Sequence, residues 1–383
     1  MQAVLELARR IEEAPQKAPR ELRAFVKANA FPIVEGDTAT FFFWDDRPID
    51  AIYLVHWVFG LESRQPFARL GNTNAWYLPI DLPDSARVEY KFELTRRGQR
   101  AWIRDPLNPL RAYDPFGSNS VCPMPSYREP AWIEPETGVR EGRVELIPVK
   151  SKVYGQMREA RIYMPAEYKP HKKYPLVICH DGGDYLKYAG IKTVLDNLIH
   201  RNEVAPLLVA FTDGVDRNRE YGANPKQAEY LVEELLPTVE RRFGVARNPA
   251  KRGLMGASFG GVSSLFTAWQ YPGVFGQLML QSGSFVFTDV GSHDRGPLFD
   301  PVVDFTNTFR GDPGRVAARI YQSCGTFESL IYYNRSLLPL MRKAGLTVRF
   351  VESQDGHNWI AWRDRLREGL TWLFPGHLWM TYE

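Results

Sequence analysis

The spacing of apolar residues changes period near residue 140, and one layer type cannot serve both halves of the chain. Upstream, short aromatic-rich or alternating runs cover residues 39–44, 51–55, 75–80 and 88–94. Asp45, Asp46, Pro48, Gly71, Asn72, Pro83, Asp84 and Gly98 separate them. Strands punctuated so closely by turn formers predict an all-β sandwich. The stretch 105–125, rich in Pro, Asn and Ser, reads as a segment that wraps or links domains, because proline cannot donate into a central strand. Downstream, runs of strand length at 161–164, 176–179, 207–211, 252–256, 278–281, 319–323 and 347–351 alternate with helical patterns. The helices fall at 191–202, 225–243, after Ser258, and at 359–373. That alternation predicts a largely parallel sheet covered on both faces. The expected division is a β-sandwich over 1–140 and an α/β domain over 141–383.

A chain of 383 residues with 44% hydrophobic content can bury two cores. Its 48 basic and 45 acidic residues leave a net charge of +3, without the concentrated basic face that nucleic acid demands. The first 25 residues read as an amphipathic helix and lack the unbroken apolar core of a signal peptide. No apolar stretch is long enough to span a membrane, so no membrane partner is expected and the default location is the cytoplasm. Cys122, Cys179 and Cys324 have no metal-ligand spacing, and the last two end apolar runs where a buried thiol is usual. Neither metal nor organic cofactor is called for.

Gly256-Ala257-Ser258-Phe259-Gly260 matches the G-x-S-x-G nucleophile elbow, placed after a short strand and before a helix as that motif requires. A serine hydroxyl needs a base. His357, in the turn Asp355-Gly356-His357-Asn358-Trp359 before the last helix, holds the late position that the chain order serine, acid, histidine assigns to it. His293, on the loop after the next strand, is the runner-up. Glu328 is the first carboxylate after the strand 319–323 and would orient the imidazole, with Asp355 as the alternative. Two backbone N–H groups should hold the oxyanion: that of Phe259 and, from the turn His180-Asp181-Gly182-Gly183-Asp184, that of Gly183.

These stretches carry a resemblance. HDGGD (180–184), REY with EELLPTVERRFGV, GASFGG (256–261), QSGSF (281–285), CGTFES (324–329) and DGHNWIAWR (355–363) are similar, in order, to the esterase family that includes enterochelin esterases, feruloyl esterases and mycolyl transferases. FARLGNTNAWYLPIDLP, VEYKF and DPLNP resemble the small β-domain of the enterochelin esterases. The resemblance implies fold class α/β, an α/β-hydrolase preceded by an immunoglobulin-like β-sandwich. It implies a cytoplasmic enzyme that cleaves the ester backbone of a catecholate siderophore to release iron. Ser258, His357 and Gly183 take the family's serine, histidine and second oxyanion donor, while Glu328 stands where many relatives carry Asp. A trianionic ferric substrate would need a basic pocket, to which Arg217, Arg219 and Lys226 could contribute. Trp44, Trp57 and Trp76 could pack on catechol rings. Two other readings stay open: an esterase for feruloyl, acetyl or other small esters of glycans, and an inactive binding protein on the same scaffold.

Overall fold

The computed structural model describes residues 1–288, 293–316 and 318–377. The chain forms two compact units. Unit 1 comprises Met1–Glu129 with two later excursions, Gly325–Glu328 and Ser353–Asn358; unit 2 is the remainder.

Unit 1 opens on helices Gln2–Glu13 and Ala18–Ala28 rather than one helix. Ala14 leaves the helical region, with φ −143° and ψ 71°, because the residue before Pro15 is disfavoured there. Ten strands follow: β1 (Ile33–Glu35), β2 (Thr38–Trp44), β3 (Ala51–His56), β4 (Arg64–Pro66), β5 (Ala68–Arg69), β6 (Ala75–Asp81), β7 (Arg87–Arg96), β8 (Gln99–Ile103), β9 (Arg111–Asp114) and β10 (Gly117–Pro123). One sheet has the order β1-β2-β6-β5; the other runs β4-β3-β7-β10-β9, with β8 also on β7. Residues of both sheets share one core: Phe41 and Phe43 of β2 meet Leu54 of β3 and Tyr90 and Phe92 of β7. Phe42 points the other way and is buried with Val4, Leu7, Leu22 and Phe25 of the two helices. That second cover explains why three successive phenylalanines are all apolar.

The stretch 105–125 contributes two strands to the second sheet of unit 1 and is not a linker. Its hairpin β9–β10 pairs with β7, burying Val121 and Cys122. The polar residues that made it read as loop satisfy the buried backbone. Asn108 donates to the Val121 carbonyl at 2.7 Å and to the Tyr90 hydroxyl at 3.0 Å. Asp105 accepts from the Tyr90 hydroxyl at 2.7 Å.

Unit 2 carries β11 (Arg143–Ser151), β12 (Gln156–Met164), β13 (Leu176–His180), β14 (Leu208–Thr212), β15 (Arg252–Ala257), β16 (Gln277–Gln281), β17 (Arg319–Gly325) and β18 (Val348–Ser353). They form one eight-stranded sheet of order β11-β12-β14-β13-β15-β16-β17-β18. Strands β14, β13, β15, β16 and β17 run parallel to one another, while β12 is antiparallel to both β11 and β14. Alternate residues feed two cores. Leu176 and Ile178 face one, Val177 and Cys179 the other, which is why such strands are apolar throughout. The helical pattern over 225–243 is Pro225–Glu229, a π-turn over Tyr230–Leu235, and Leu236–Arg242. Pro237 can neither donate to nor clear the carbonyl one turn back, and the wider π spacing relieves that conflict. Among the described residues no helix is long and apolar enough to cross a membrane. The three cysteines are buried thiols.

Candidate active site

Strand β15 runs directly into the helix Phe259–Gln270, and Ser258 makes the turn with φ 57° and ψ −121°. A non-glycine residue pays steric strain there, and the neighbouring glycines make it possible. A Cβ on Gly256 would lie 2.5 Å from the Gly260 carbonyl carbon, and one on Gly260 would lie 3.1 Å from the Cβ of His180. The Ser258 N–H donates to the Gln281 carbonyl at 2.9 Å, and its Oγ lies 3.1 Å from Ser284 Oγ. Ser284 belongs to the turn Gln281-Ser282-Gly283-Ser284-Phe285. There Ser282 has φ 47°, and Asn334 donates to the Gly283 carbonyl at 2.9 Å. Nothing in residue type marked Ser284 as a neighbour of the elbow. The Phe259 N–H opens the helix, where the first amides have no intrahelical acceptor.

Glu328 and His357 meet. Glu328 Oε2 lies 2.6 Å from His357 Nδ1, and Oε1 accepts the Gly325 N–H at 2.7 Å. The carboxylate is 1% exposed and the imidazole 37%. Their two turns are laced together. Thr326 donates to the Ser353 carbonyl at 2.8 Å and Phe327 to the Asp355 carbonyl at 3.2 Å, while a Cβ on Gly325 would lie 2.2 Å from the latter oxygen. Asp355 is engaged elsewhere. It is buried, its carboxylate lies 3.3 Å from Arg87 Nη1, and Oδ1 accepts from the Gly356 N–H and from Asn358 Nδ2, each at 2.7 Å. Burial pushes its carboxyl up, to about 6, against the pull of Arg87. His293 has its Nε2 3.0 Å from Asp300 Oδ1.

The Gly183 N–H is already taken: it donates to Asp213 Oδ1 at 2.9 Å, and Asp213 Oδ2 accepts from Arg161 at 2.7 Å. His180, at the end of β13, is fully buried, and burial pushes its imidazole down, to about 4. It is a neutral packing residue whose Nδ1 lies 3.1 Å from the Met255 carbonyl. Arg217 grips the buried Asp181 carboxylate through two contacts of 2.6 Å, so its guanidinium braces the HDGGD turn. Arg219 is exposed and lies 3.5 Å from Asp216. The Lys226 N–H is capped by Asn224. Of Trp44, Trp57 and Trp76, the first packs with the helix-covered core and the last with the core shared by the two sheets of unit 1. Trp57 is 56% exposed. Among the described residues no group of three or more His, Cys, Asp or Glu could hold a metal ion.

Residues 151–373, more than half the chain, match the family described as "Putative esterase". The chain belongs to that family. Among curated proteins, this esterase is 25% identical over 340 residues to the iron(III) enterobactin esterase of Escherichia coli O6:H1, covering 81% of this chain and 82% of that one. It is 23% identical to an endo-1,4-beta-xylanase/feruloyl esterase of Xylanibacter ruminicola, across 62% of this chain and 32% of the relative. In fold the esterase is similar to the ferric enterobactin esterase of Salmonella typhimurium, with TM-score 0.74, 22% identity and coverage of 89% and 95% of the two chains. A structure of the Shigella flexneri enterobactin esterase, obtained in the presence of enterobactin, matches with TM-score 0.73 at 21% identity over 94% and 98% of the chains.

Proposed function

We propose that this esterase hydrolyses the trilactone backbone of a ferric catecholate siderophore by a serine mechanism on an α/β-hydrolase fold, with an immunoglobulin-like sandwich before it. The observation that carries the mechanism is the 2.6 Å Glu328–His357 hydrogen bond, in a chain whose Ser258 has elbow geometry and precedes both in the order serine, acid, histidine. The names of the curated relatives support the substrate, as does likeness over both units.

In this reading Ser258 Oγ attacks the ester carbonyl carbon while His357 Nε2 takes its proton. Glu328 keeps the other imidazole proton on Nδ1 and stabilises the imidazolium. The Phe259 and Gly183 N–H groups receive the charge on the carbonyl oxygen, so the Gly183 N–H must leave Asp213 as the substrate arrives. The tetrahedral intermediate expels the alkoxide, which takes the proton from His357. Water then attacks the acyl-serine, giving its proton to His357, and collapse returns that proton to Ser258 with release of the acid. Iron is cargo of the substrate and takes no part in these steps.

The test is hydrolysis of the ferric trilactone, its linear fragments, methyl ferulate and nitrophenyl acetate, with fluorophosphonate labelling. The adduct is expected on Ser258, and Ser258→Ala should lose several orders of magnitude in turnover. An adduct on another residue refutes the nucleophile. Hydrolysis of methyl ferulate without the trilactone would favour the feruloyl reading, which the Xylanibacter relative supports.

A further inference from the structure

Arg87 opens β7 with a side chain 4% exposed. Its Nη2 pairs with Glu89 at 2.9 Å. Its Nη1 faces both oxygens of Asp355 at 3.3 and 3.4 Å and the Asn358 side-chain oxygen at 3.2 Å. The Arg87 N–H donates to the Gln354 carbonyl at 3.0 Å, and the Ser85 hydroxyl donates to the Gln354 side chain. One guanidinium therefore ties the residue two before His357 and the residue just after it. The other turn is held separately: the Phe59 N–H donates to the Phe327 carbonyl at 2.8 Å, and the Phe327 ring lies in the sandwich core beside Glu328 in sequence. Glu89 is fixed in turn by Asn119 at 2.8 Å. Only a planar fork with several donors can bridge three acceptors in this way, and a lysine offers a single point of charge.

We propose that the amino-terminal sandwich holds the acid and base turns in register, with Arg87 as a positioning residue for the His357–Glu328 pair. This rests on the reading of those two residues as base and acid. The sandwich then contributes to turnover of every ester, not only to recognition of a large one. The 2.6 Å contact needs two separate turns placed to a fraction of an ångström, and Arg87 spans the one that carries the imidazole.

The test uses the full-length protein, nitrophenyl acetate, and kcat per site counted by fluorophosphonate titration, which removes any unfolded fraction. Arg87→Ala should lower kcat by about 10- to 100-fold, the usual effect of losing a partner of a functional residue, with KM unchanged. Arg87→Lys should recover part of it, and the low-field proton resonance of the imidazole Nδ1–H should move or broaden in both. A folded Arg87→Ala protein with full kcat beside an inactive His357→Ala overturns the proposal; so does a rise in KM alone, which would make Arg87 a substrate contact. An active His357→Ala overturns the base assignment itself. If Arg87→Ala does not fold, Arg87→Lys and Asp355→Asn decide, and full kcat in both refutes the role of Arg87.

Discussion

Replacing Glu328 by glutamine tests the orienting role of the acid at almost constant shape. The partners of the carboxylate include the Gly325 N–H at 2.7 Å on Oε1 and His357 Nδ1 at 2.6 Å on Oε2. A backbone N–H can only donate, so the glutamine oxygen must turn to Gly325, and its NH2 must then face the imidazole. Nδ1 is forced to accept, the ring proton moves to Nε2, and the nitrogen meant to take the serine proton is already protonated. We expect Glu328→Gln to lower kcat by about 10³- to 10⁴-fold, as wrong-tautomer variants of other triads do, which is about 4 to 5.5 kcal/mol of barrier. KM should stay constant, and fluorophosphonate labelling should slow in proportion. Glu328→Ala discriminates further. Water can fill that space and either accept from an Nδ1–H or donate to a bare Nδ1, so alanine leaves the productive tautomer accessible and should be less damaging than glutamine. A Glu328→Gln enzyme with near-normal kcat, or one clearly better than Glu328→Ala, would refute the tautomer argument.

Gly256→Ala should abolish the elbow, because its Cβ would lie 2.5 Å from backbone at Gly260; soluble protein with normal labelling of Ser258 would contradict this. Asp213→Ala should release the Gly183 N–H and raise kcat on nitrophenyl acetate several-fold, since a half-exposed carboxylate now occupies that donor; a fall in kcat would mean that Asp213 supports the turn instead. Asp105 is fully buried, and burial pushes its carboxyl up, to about 6, from an ordinary value of 3.8. The folded state then binds more protons than the unfolded one in that window, so the stability conferred by the protonated form is lost as pH rises from about 4 to 6, by about 3 kcal/mol. Denaturant unfolding of the wild type against Asp105→Asn reads this directly, and identical pH profiles would rule it out.

What the sequence determined by itself lies within a few residues of the chain. Strand and helix periods placed strands at 51–55, 88–94 and 176–179 and a helix at 191–202, each within a few residues of an observed element, because the cores select every second or every third to fourth side chain. The elbow was legible for the same reason: its strain and its glycines are consecutive. Local reading misjudged the stretch 105–125, where Asn108 and Asp105 supply tertiary hydrogen bonds that composition cannot distinguish from loop polarity. Partners tens to hundreds of residues apart depend on sheet register and on turn geometry, which no local pattern encodes. Chain order offered Glu328 and Asp355 as partners for His357; only the tertiary structure chose between them, gave Asp355 to Arg87 and put Asp213 on the Gly183 N–H. Arg87 and Glu89 gave no signal at all in sequence: they occupy the polar phase of a strand whose alternate residues Val88, Tyr90 and Phe92 fill the core, and an alternating strand normally turns that phase to solvent. Here it is buried, because the turns at 325–328 and 353–358 fold back over it.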